Sequence, residues 1–380
     1  MTTFRQVLFW LHLAAGLIAG VAIFIMCVTG ALLAFERQTI EWAERDVRYV
    51  AVGSAPKLSS AEVLTEVLEA RPEAKPASIS IKNEPGATWE ISLGREGMVF
   101  ADPYTGGITG EGNKKVRGVM SSLREWHRYV ALSGDQRPIG KAITGAGNLL
   151  FLFLAMSGIY IWFPRNLVWK AIQPVIWFRR GQHGKARNFN WHNTIGFWTS
   201  LFLIIFTLTA TVISYQWASN LLYTITGNEV PLPQGGQQQP SPREEAFDIP
   251  QNLNASWERA EQQSPTWRSI SLRLPASESS VFTIDEGIYW NIFGRSTLTL
   301  DTATAEIRKW DPYGERNAAV QLRSWFRFTH TGETGGIPGQ IIGFIACLGG
   351  AFLVWTGFSL AFRRFGNWLN RRRGVGEPVS

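Results

Sequence analysis

The chain has 380 residues, is 45% hydrophobic and 18% charged, and carries a formal net charge of +7. Two cysteines rule out a disulfide scaffold and cysteine-rich zinc modules. The basic balance and near-neutral mean hydropathy suggest a soluble protein with anionic partners, but both are averages over unevenly mixed residues.

Taken in chain order, four runs carry no charged residue: 11–35, 143–163, 195–215 and 341–362. Crossing a bilayer takes about 20 apolar residues, and core helices rarely stay uncharged that long. The sequence therefore predicts a first transmembrane helix over 5–36, an extramembrane α+β domain over 37–118, and a segment 119–142 carrying His127. A second span over 143–164, a basic loop 165–189 and a third span over 190–216 follow. A second extramembrane domain over 217–328 contains a Pro/Gln-rich linker at 228–250. Segment 329–338 carries His330, the fourth span covers 339–363, and 364–380 is a basic tail.

Inside the first extramembrane domain the patterning predicts a helix at 59–71 and strands at 77–81, 89–93 and 98–102. The second repeats that order, with a helix at 255–263 and strands at 267–274, 281–284, 289–293 and 297–301. The apolar but short stretch 167–178, with Pro174, reads as an interfacial segment.

Charge sets the orientation. Residues 1–11, 165–191 and 361–380 hold 12 Lys and Arg against one acid, whereas the remainder holds 25 against 29. Lys and Arg mark the cytoplasmic side of short loops. Both termini are thus expected in the cytoplasm of a multi-pass bacterial inner-membrane protein, with the two long segments in the periplasm. The basic average is a topology signal and gives no support for nucleic-acid binding.

The chain also repeats itself. Trp10-Leu11-His12, Gly16 and Thr29-Gly30 recur as Asn190-Trp191-His192, Gly196 and Thr209-Ala210, at an offset of 180 residues. Trp126-His127 with Ser157-Gly158 is matched by Thr329-His330 with Thr356-Gly357. Four of five histidines therefore sit at duplicated positions at span edges, while His183 in the basic loop reads as a surface residue. Interface-belt and proton-relay roles fit single histidines of this kind. Two per membrane face, on facing helices, is the arrangement that axial ligation of a low-spin b-type haem needs. We pair His12 with His192 and His127 with His330, for two haems b. Gly16 and Gly196, one turn beyond their histidines, and Thr29-Gly30, Ser157-Gly158 and Thr356-Gly357 are expected to be the small residues that admit the macrocycle. No Cys-x-x-Cys-His motif is present, which excludes a c-type haem, and no dinucleotide fingerprint is present, so a reductase built on this chain needs an external donor. No catalytic residue is assigned.

These motifs resemble the PepSY-associated transmembrane helix family over about residues 5–365. The carrying residues are Trp10-Leu11-His12, Trp126-His127-Arg128-Tyr129, the end of the second span from Ser157-Gly158 to Phe163-Pro164-Arg165, Trp191-His192-Asn193, and His330-Thr331-Gly332. Within that family the chain resembles inner-membrane siderophore reductases that hold two haems. The resemblance implies a membrane α-helical, internally duplicated fold of four spans with two small extramembrane α+β PepSY-like domains. It implies a ferric-chelate reductase acting on a ferric siderophore of hydroxamate or ferrioxamine type and releasing Fe²⁺. The ligand candidates are again His12, His127, His192 and His330. Implied partners are the siderophore, a cytoplasmic or membrane electron donor, and membrane lipid. The chelate would dock between the two small domains, where Trp89, Trp267, Tyr289, Trp290 and Trp310 form either that surface or domain core. A general haem b electron-transfer subunit and a non-redox PepSY regulatory membrane protein are the competing readings.

Overall fold

A computed structural model describes residues 3–164, 168–231 and 247–372. In chain order the first helices are α1 (Thr3–Leu33), α2 (Glu36–Ala43), α3 (Arg45–Arg48) and α4 (Ser60–Ala70). Strands β1 (Ser78–Lys82), β2 (Trp89–Ser92), β3 (Met98–Ala101) and β4 (Ile108–Glu111) follow, then α5 (Lys114–Tyr129), α6 (Arg137–Trp162), α7 (Trp169–Ile176), α8 (Gly184–Ser214), α9 (Gln216–Ile225) and α10 (Leu253–Gln263). The chain ends with β5 (Ser269–Arg273), β6 (Ser279–Asp285), β7 (Arg295–Asp301), β8 (Ile307–Asp311), α11 (Ala318–His330) and α12 (Gly336–Arg372). It divides into two compact units, one of residues up to 35, 120–219 and from 326, the other of 36–119 and 220–325.

The first unit is a four-helix bundle. α1, α6, α8 and α12 are each long and apolar enough to span a membrane. They pack in the ring order α1, α6, α8, α12 and back to α1. Only 28–39% of each apolar window is buried, and large apolar side chains such as Ile18, Val21 and Leu201 face outward. Core helices of a soluble protein would hide them, so this surface is one that lipid covers. The inward seam holds Ile23, Cys27, Phe151, Leu203, Ala346 and Ala351. Two buried amides cross it: Asn148 Nδ2 donates to the Thr207 carbonyl (3.0 Å) and to Thr211 Oγ1 (2.9 Å), and Gln340 Nε2 donates to the Ala34 carbonyl (2.6 Å).

The helices overrun the expected span limits. α6 starts at Arg137 because Pro138 sits in its first turn, where a missing N–H costs nothing. α12 continues to Arg372, so residues 364–372 are helix and not free tail; Arg371 and Arg372 in the last turn suit its negative end. α8 begins at Gly184, with exposed His183 preceding it. The stretch predicted as interfacial holds the short α7, with Pro174 inside, while its first residue, Leu167, lies outside the described residues. So do residues 232–246 of the expected linker and residues 373–380.

The second unit is one antiparallel sheet, in the order β4-β3-β2-β1-β5-β6-β7-β8. β1 pairs with β5 over five residues, with Ile79 opposite Leu272 and Ile81 opposite Ile270. Alternation is clean in the inner strands: every second residue of β6 is buried. α4 and α10 bury Val63, Leu64 and Val67, and Leu253, Trp257 and Ala260, in one common core with Ile79, Ile91, Leu272 and Phe282. The expectation of two separate small domains is thus corrected. The β1–β5 ladder merges both segments into one sheet and one core.

Local chemistry explains these elements. Ser59 caps α4 through a capping box, its backbone N–H donating to Glu62 Oε2 (2.8 Å) while the Glu62 N–H reaches Ser59 Oγ (3.4 Å). The expected strand at 289–293 is instead a loop wrapped around the buried Glu286 carboxylate, which accepts from Ser264 (2.7 Å), Tyr289 (2.5 Å) and Ser296 (2.6 Å). β4 and β8 went unpredicted because both are edge strands, largely solvent-facing and without alternation. A buried carboxylate, Glu44, accepts from Arg117 Nε (2.5 Å), Arg48 (2.8 Å) and the Asn113 N–H (2.8 Å). Burial pushes this carboxyl up, but the hydrogen bonds from Arg117, Asn113 and Arg48 outweigh it and hold it below the usual carboxylate value.

Candidate cofactor site

The four repeated histidines all lie in the helical bundle, each against a different spanning helix. His12 on α1 places Nδ1 2.8 Å from Ser157 Oγ on α6. His192 on α8 places Nδ1 2.8 Å from Thr356 Oγ1 on α12. His127, in the last turn of α5, reaches Thr29 Oγ1 on α1 at 3.0 Å. His330, which ends α11, lies 3.4 Å from Thr209 Oγ1 on α8 and 3.0 Å from the Phe206 carbonyl. The histidines of segments 119–142 and 329–338 thus ride on helices of their own, α5 and α11.

The hydroxyls settle the tautomer. Each one donates its only proton to a carbonyl one turn back: Ser157 to Phe153 (2.6 Å), Thr29 to Ile25 (2.6 Å), Thr356 to Phe352 (2.9 Å) and Thr209 to Ile205 (2.9 Å). A hydroxyl that has spent its proton can only accept, so the imidazole must donate from Nδ1–H. The Nε2 lone pair is then free, and no hydrogen bond occupies it among the described residues. A neutral imidazole oriented through Nδ1–H, with Nε2 open, is the state that ligates a metal.

The small residue after each hydroxyl has a purpose as well. A Cβ added at Gly30 would stand 3.2 Å from His127 Cε1, at Gly158 3.5 Å from His12 Cε1, and at Gly357 3.7 Å from His192 Cε1. These glycines were expected to clear a macrocycle. They first seat the imidazole, which lies against the facing helix. Gly158 and Gly357 also keep a wall of the cavity described next, whereas the space at Gly30 is taken by His127 and by Cys347 Sγ at 3.3 Å. At the fourth position Ala210 replaces glycine, and there the imidazole-to-hydroxyl distance is longest.

The histidines form the two expected pairs. His12 and His192 line one cavity of about 330 Å³, walled by Gly16, Gly20, Gly158, Gly196, Gly350 and Gly357 and by apolar side chains that include Leu154 and Leu353. His127 and His330 have ring centroids 6.2 Å apart. Thr29 lies 17 residues beyond His12 on α1, so the two sites are roughly 26 Å apart along the helix axis at the standard rise. Among the described residues no three His, Cys, Asp or Glu side chains converge as a metal site.

Three contributions were missed from the sequence: the Thr209 hydroxyl, the Phe206 carbonyl, and the cations Lys185 and Arg364 in the cavity lining. Thr209 follows His192 by the same 17 residues as Thr29 follows His12, a signal that was available. In the sheet unit, Trp89 is buried and Trp267 and Trp310 pack on the core, so these three belong to the core. Trp290 is exposed, and Tyr289 is tied to Glu286. The two segments share one sheet.

No curated protein matches the chain. The family described as the PepSY-associated TM region matches residues 9–364, and with four spanning helices the chain is a multi-pass membrane protein that belongs to that family.

Proposed function

We propose that the chain is a membrane reductase that holds two haems b, one between His12 and His192 and one between His127 and His330, and delivers electrons to a ferric hydroxamate siderophore in the periplasm. One observation carries the reading: four imidazoles, each fixed through Nδ1 and open at Nε2, in two facing pairs. Two imidazoles are too few to cage a bare metal ion, which takes four or more donors. A porphyrin brings four nitrogens of its own and needs only the two axial positions filled. The glycine-walled apolar cavity beside His12 and His192 suits a flat, apolar ring.

Bound in these sites, haem supplies a reversible one-electron couple near each membrane face. The chain's own residues then do three things. Ser157, Thr356, Thr29 and Thr209 hold the imidazole protons on Nδ1. The apolar seam of Ile23, Phe151 and Leu203 keeps water out between the two levels. The pairing of one histidine from α1 with one from α8, and one from α5 with one from α11, locks the bundle around both sites. The substrate logic is simple. Hydroxamate oxygens are hard donors that hold Fe³⁺ tightly and Fe²⁺ weakly, so one electron releases the metal.

Two further features support the details. The fourfold recurrence of histidine on hydroxyl, and a sheet order that mirrors itself about β1–β5, favour an internal duplication. The basic stretches at the start of α1, between α6 and α8, and at the end of α12 favour cytoplasmic termini in a bacterial inner membrane.

The test is spectroscopic first. Protein purified in detergent should be red, show a b-type spectrum, and contain two haems per chain. Colourless protein from haem-replete cells would overturn the reading and leave a non-redox role. Dithionite-reduced protein should then be reoxidised by ferrioxamine with release of Fe²⁺, trapped by ferrozine. Reoxidation by other acceptors but not by ferrioxamine would refute the siderophore assignment.

A further inference from the structure

The cavity beside His12 and His192 is mostly apolar, with Asn193 and Ser200 among its few polar lining residues. Two charged side chains line it, Lys185 and Arg364, and both are cations. No acid lines it, and neither cation makes an ion pair within 4.0 Å among the described residues. The exposed Arg364 lies over aromatic rings: its guanidinium is 4.8 Å from the Trp10 ring centre and 5.0 Å from that of Phe9, next to His12 on α1. Lys185 precedes His192 by seven residues on α8, two helical turns on the same face. Arg5, the residue equivalent to Lys185 in the other half of the repeat, is used differently. It donates to the Tyr160 and Phe163 carbonyls at the end of α6 (3.1 and 2.5 Å), and it does not line the cavity.

We infer that Lys185 and Arg364 are a carboxylate-binding end of this cavity. They pair with the two carboxylates of the porphyrin held by His12 and His192, and so turn its carboxylate edge toward the membrane face where α1 begins. The inference rests on the haem reading above. Two cations lining an apolar slot select a ligand that is flat and apolar at one edge and doubly anionic at the other. The same cations at a membrane face would also suit a lipid phosphate, and the two sources can be told apart.

The experiment follows haem transfer from the detergent-solubilised holoprotein to excess apomyoglobin. Wild type should release its haems in two phases. Lys185→Gln with Arg364→Gln should speed one phase about tenfold or more and leave the other unchanged. The charge-conserving pair Lys185→Arg and Arg364→Lys should stay within about threefold of wild type, which separates a charge effect from poor folding. Protein made in haem-deficient cells fed with the dimethyl ester of haem removes the ligand's carboxylates. There the glutamine variant should release no faster than wild type. Equal rates for both proteins with free-acid haem would overturn the inference. So would a difference that persists with the ester, or that appears only in vesicles containing phosphatidylglycerol, since either assigns the cations to something other than the porphyrin carboxylates. Failure of the haem reading itself looks different, because the wild type would then have no haem to release.

Discussion

The distances around the glycines predict a graded response to one added methyl. Carbon atoms attract best at about 3.5–4.0 Å and repel inside that range. An alanine at 30 would put Cβ 3.2 Å from His127 Cε1 and 3.3 Å from Cys347 Sγ, so it is compressed on two sides. An alanine at 158 meets His12 Cε1 at 3.5 Å, the edge of ordinary contact, and one at 357 meets His192 Cε1 at 3.7 Å, within it. Overpacking of the first kind costs about 1–3 kcal/mol, against a gain of about 1 kcal/mol for replacing glycine inside a helix. Gly30→Ala should therefore destabilise the protein and loosen the haem held by His127. Gly158→Ala should be near neutral, and Gly357→Ala neutral or slightly stabilising. Thermal unfolding in detergent, followed together with haem absorbance, measures both effects. A Gly30→Ala protein that matches wild type in both readouts, or a Gly357→Ala protein that is the most damaged of the three, would refute this packing of the glycines against the histidines.

Further outcomes follow from the same geometry. Ser157→Ala and Thr356→Val remove the acceptors of His12 and His192; loss of such a partner weakens metal-site affinity roughly 10–100-fold, read as faster haem transfer to apomyoglobin, with Ser157→Thr close to wild type. Ala210→Gly gives His330 room to approach Thr209, now at 3.4 Å, so one haem should change its midpoint potential while the other keeps its own in a redox titration. Glu44→Ala leaves buried Arg48 without the more deeply buried of its two carboxylates and should cost about 3 kcal/mol, seen as a lower urea midpoint for unfolding of the sheet unit. Hydrogen bonds and charge from Arg71 and Lys114 hold the Glu111 carboxyl at about 2, and those from Arg308 with the Thr304 N–H hold Asp301 at about 2. A lowered folded-state value means stability that is complete above the ordinary carboxylate range and is lost as pH falls toward 2. Unfolding midpoints should drop over that window, and Glu111→Gln with Asp301→Asn should flatten the drop.

The membrane part of this fold was legible because a bilayer imposes a long, unmistakable requirement: some twenty residues without charge. The histidines were legible because similar residues recur around them in the sequence, Trp10-Leu11-His12 and Asn190-Trp191-His192 lying 180 residues apart. What the residues next to them do was harder to read. Serine and threonine in a spanning helix ordinarily bond to their own backbone, and Ser157 and Thr356 do so here. Their second use, accepting from a histidine 145 or 164 residues away, exists only once α1 meets α6 and α8 meets α12. The merged sheet was invisible for a related reason. The β1–β5 ladder joins residues about 190 apart, such as Ser80 and Ser271, and nothing in the alternation of either strand names its neighbour.

The hydroxyl and the glycine after it are best understood as one device. The hydroxyl must accept from Nδ1, which draws the imidazole down onto the facing helix, and a Cβ on the next residue would then stand 3.2, 3.5 or 3.7 Å from the ring. Three of the four sites have both parts, with hydroxyl distances of 2.8, 2.8 and 3.0 Å beside Gly158, Gly357 and Gly30. At the fourth, where Ala210 stands in place of glycine, the hydroxyl distance is 3.4 Å and the Phe206 carbonyl at 3.0 Å is the nearer partner. A carbonyl and a hydroxyl polarise an imidazole to different degrees, and the acceptor on Nδ1 sets how strongly Nε2 donates to a metal. The Nδ1 partners of the His127–His330 pair therefore differ from those of the His12–His192 pair, so on the two-haem reading proposed above the two sites would hold their metals at different potentials.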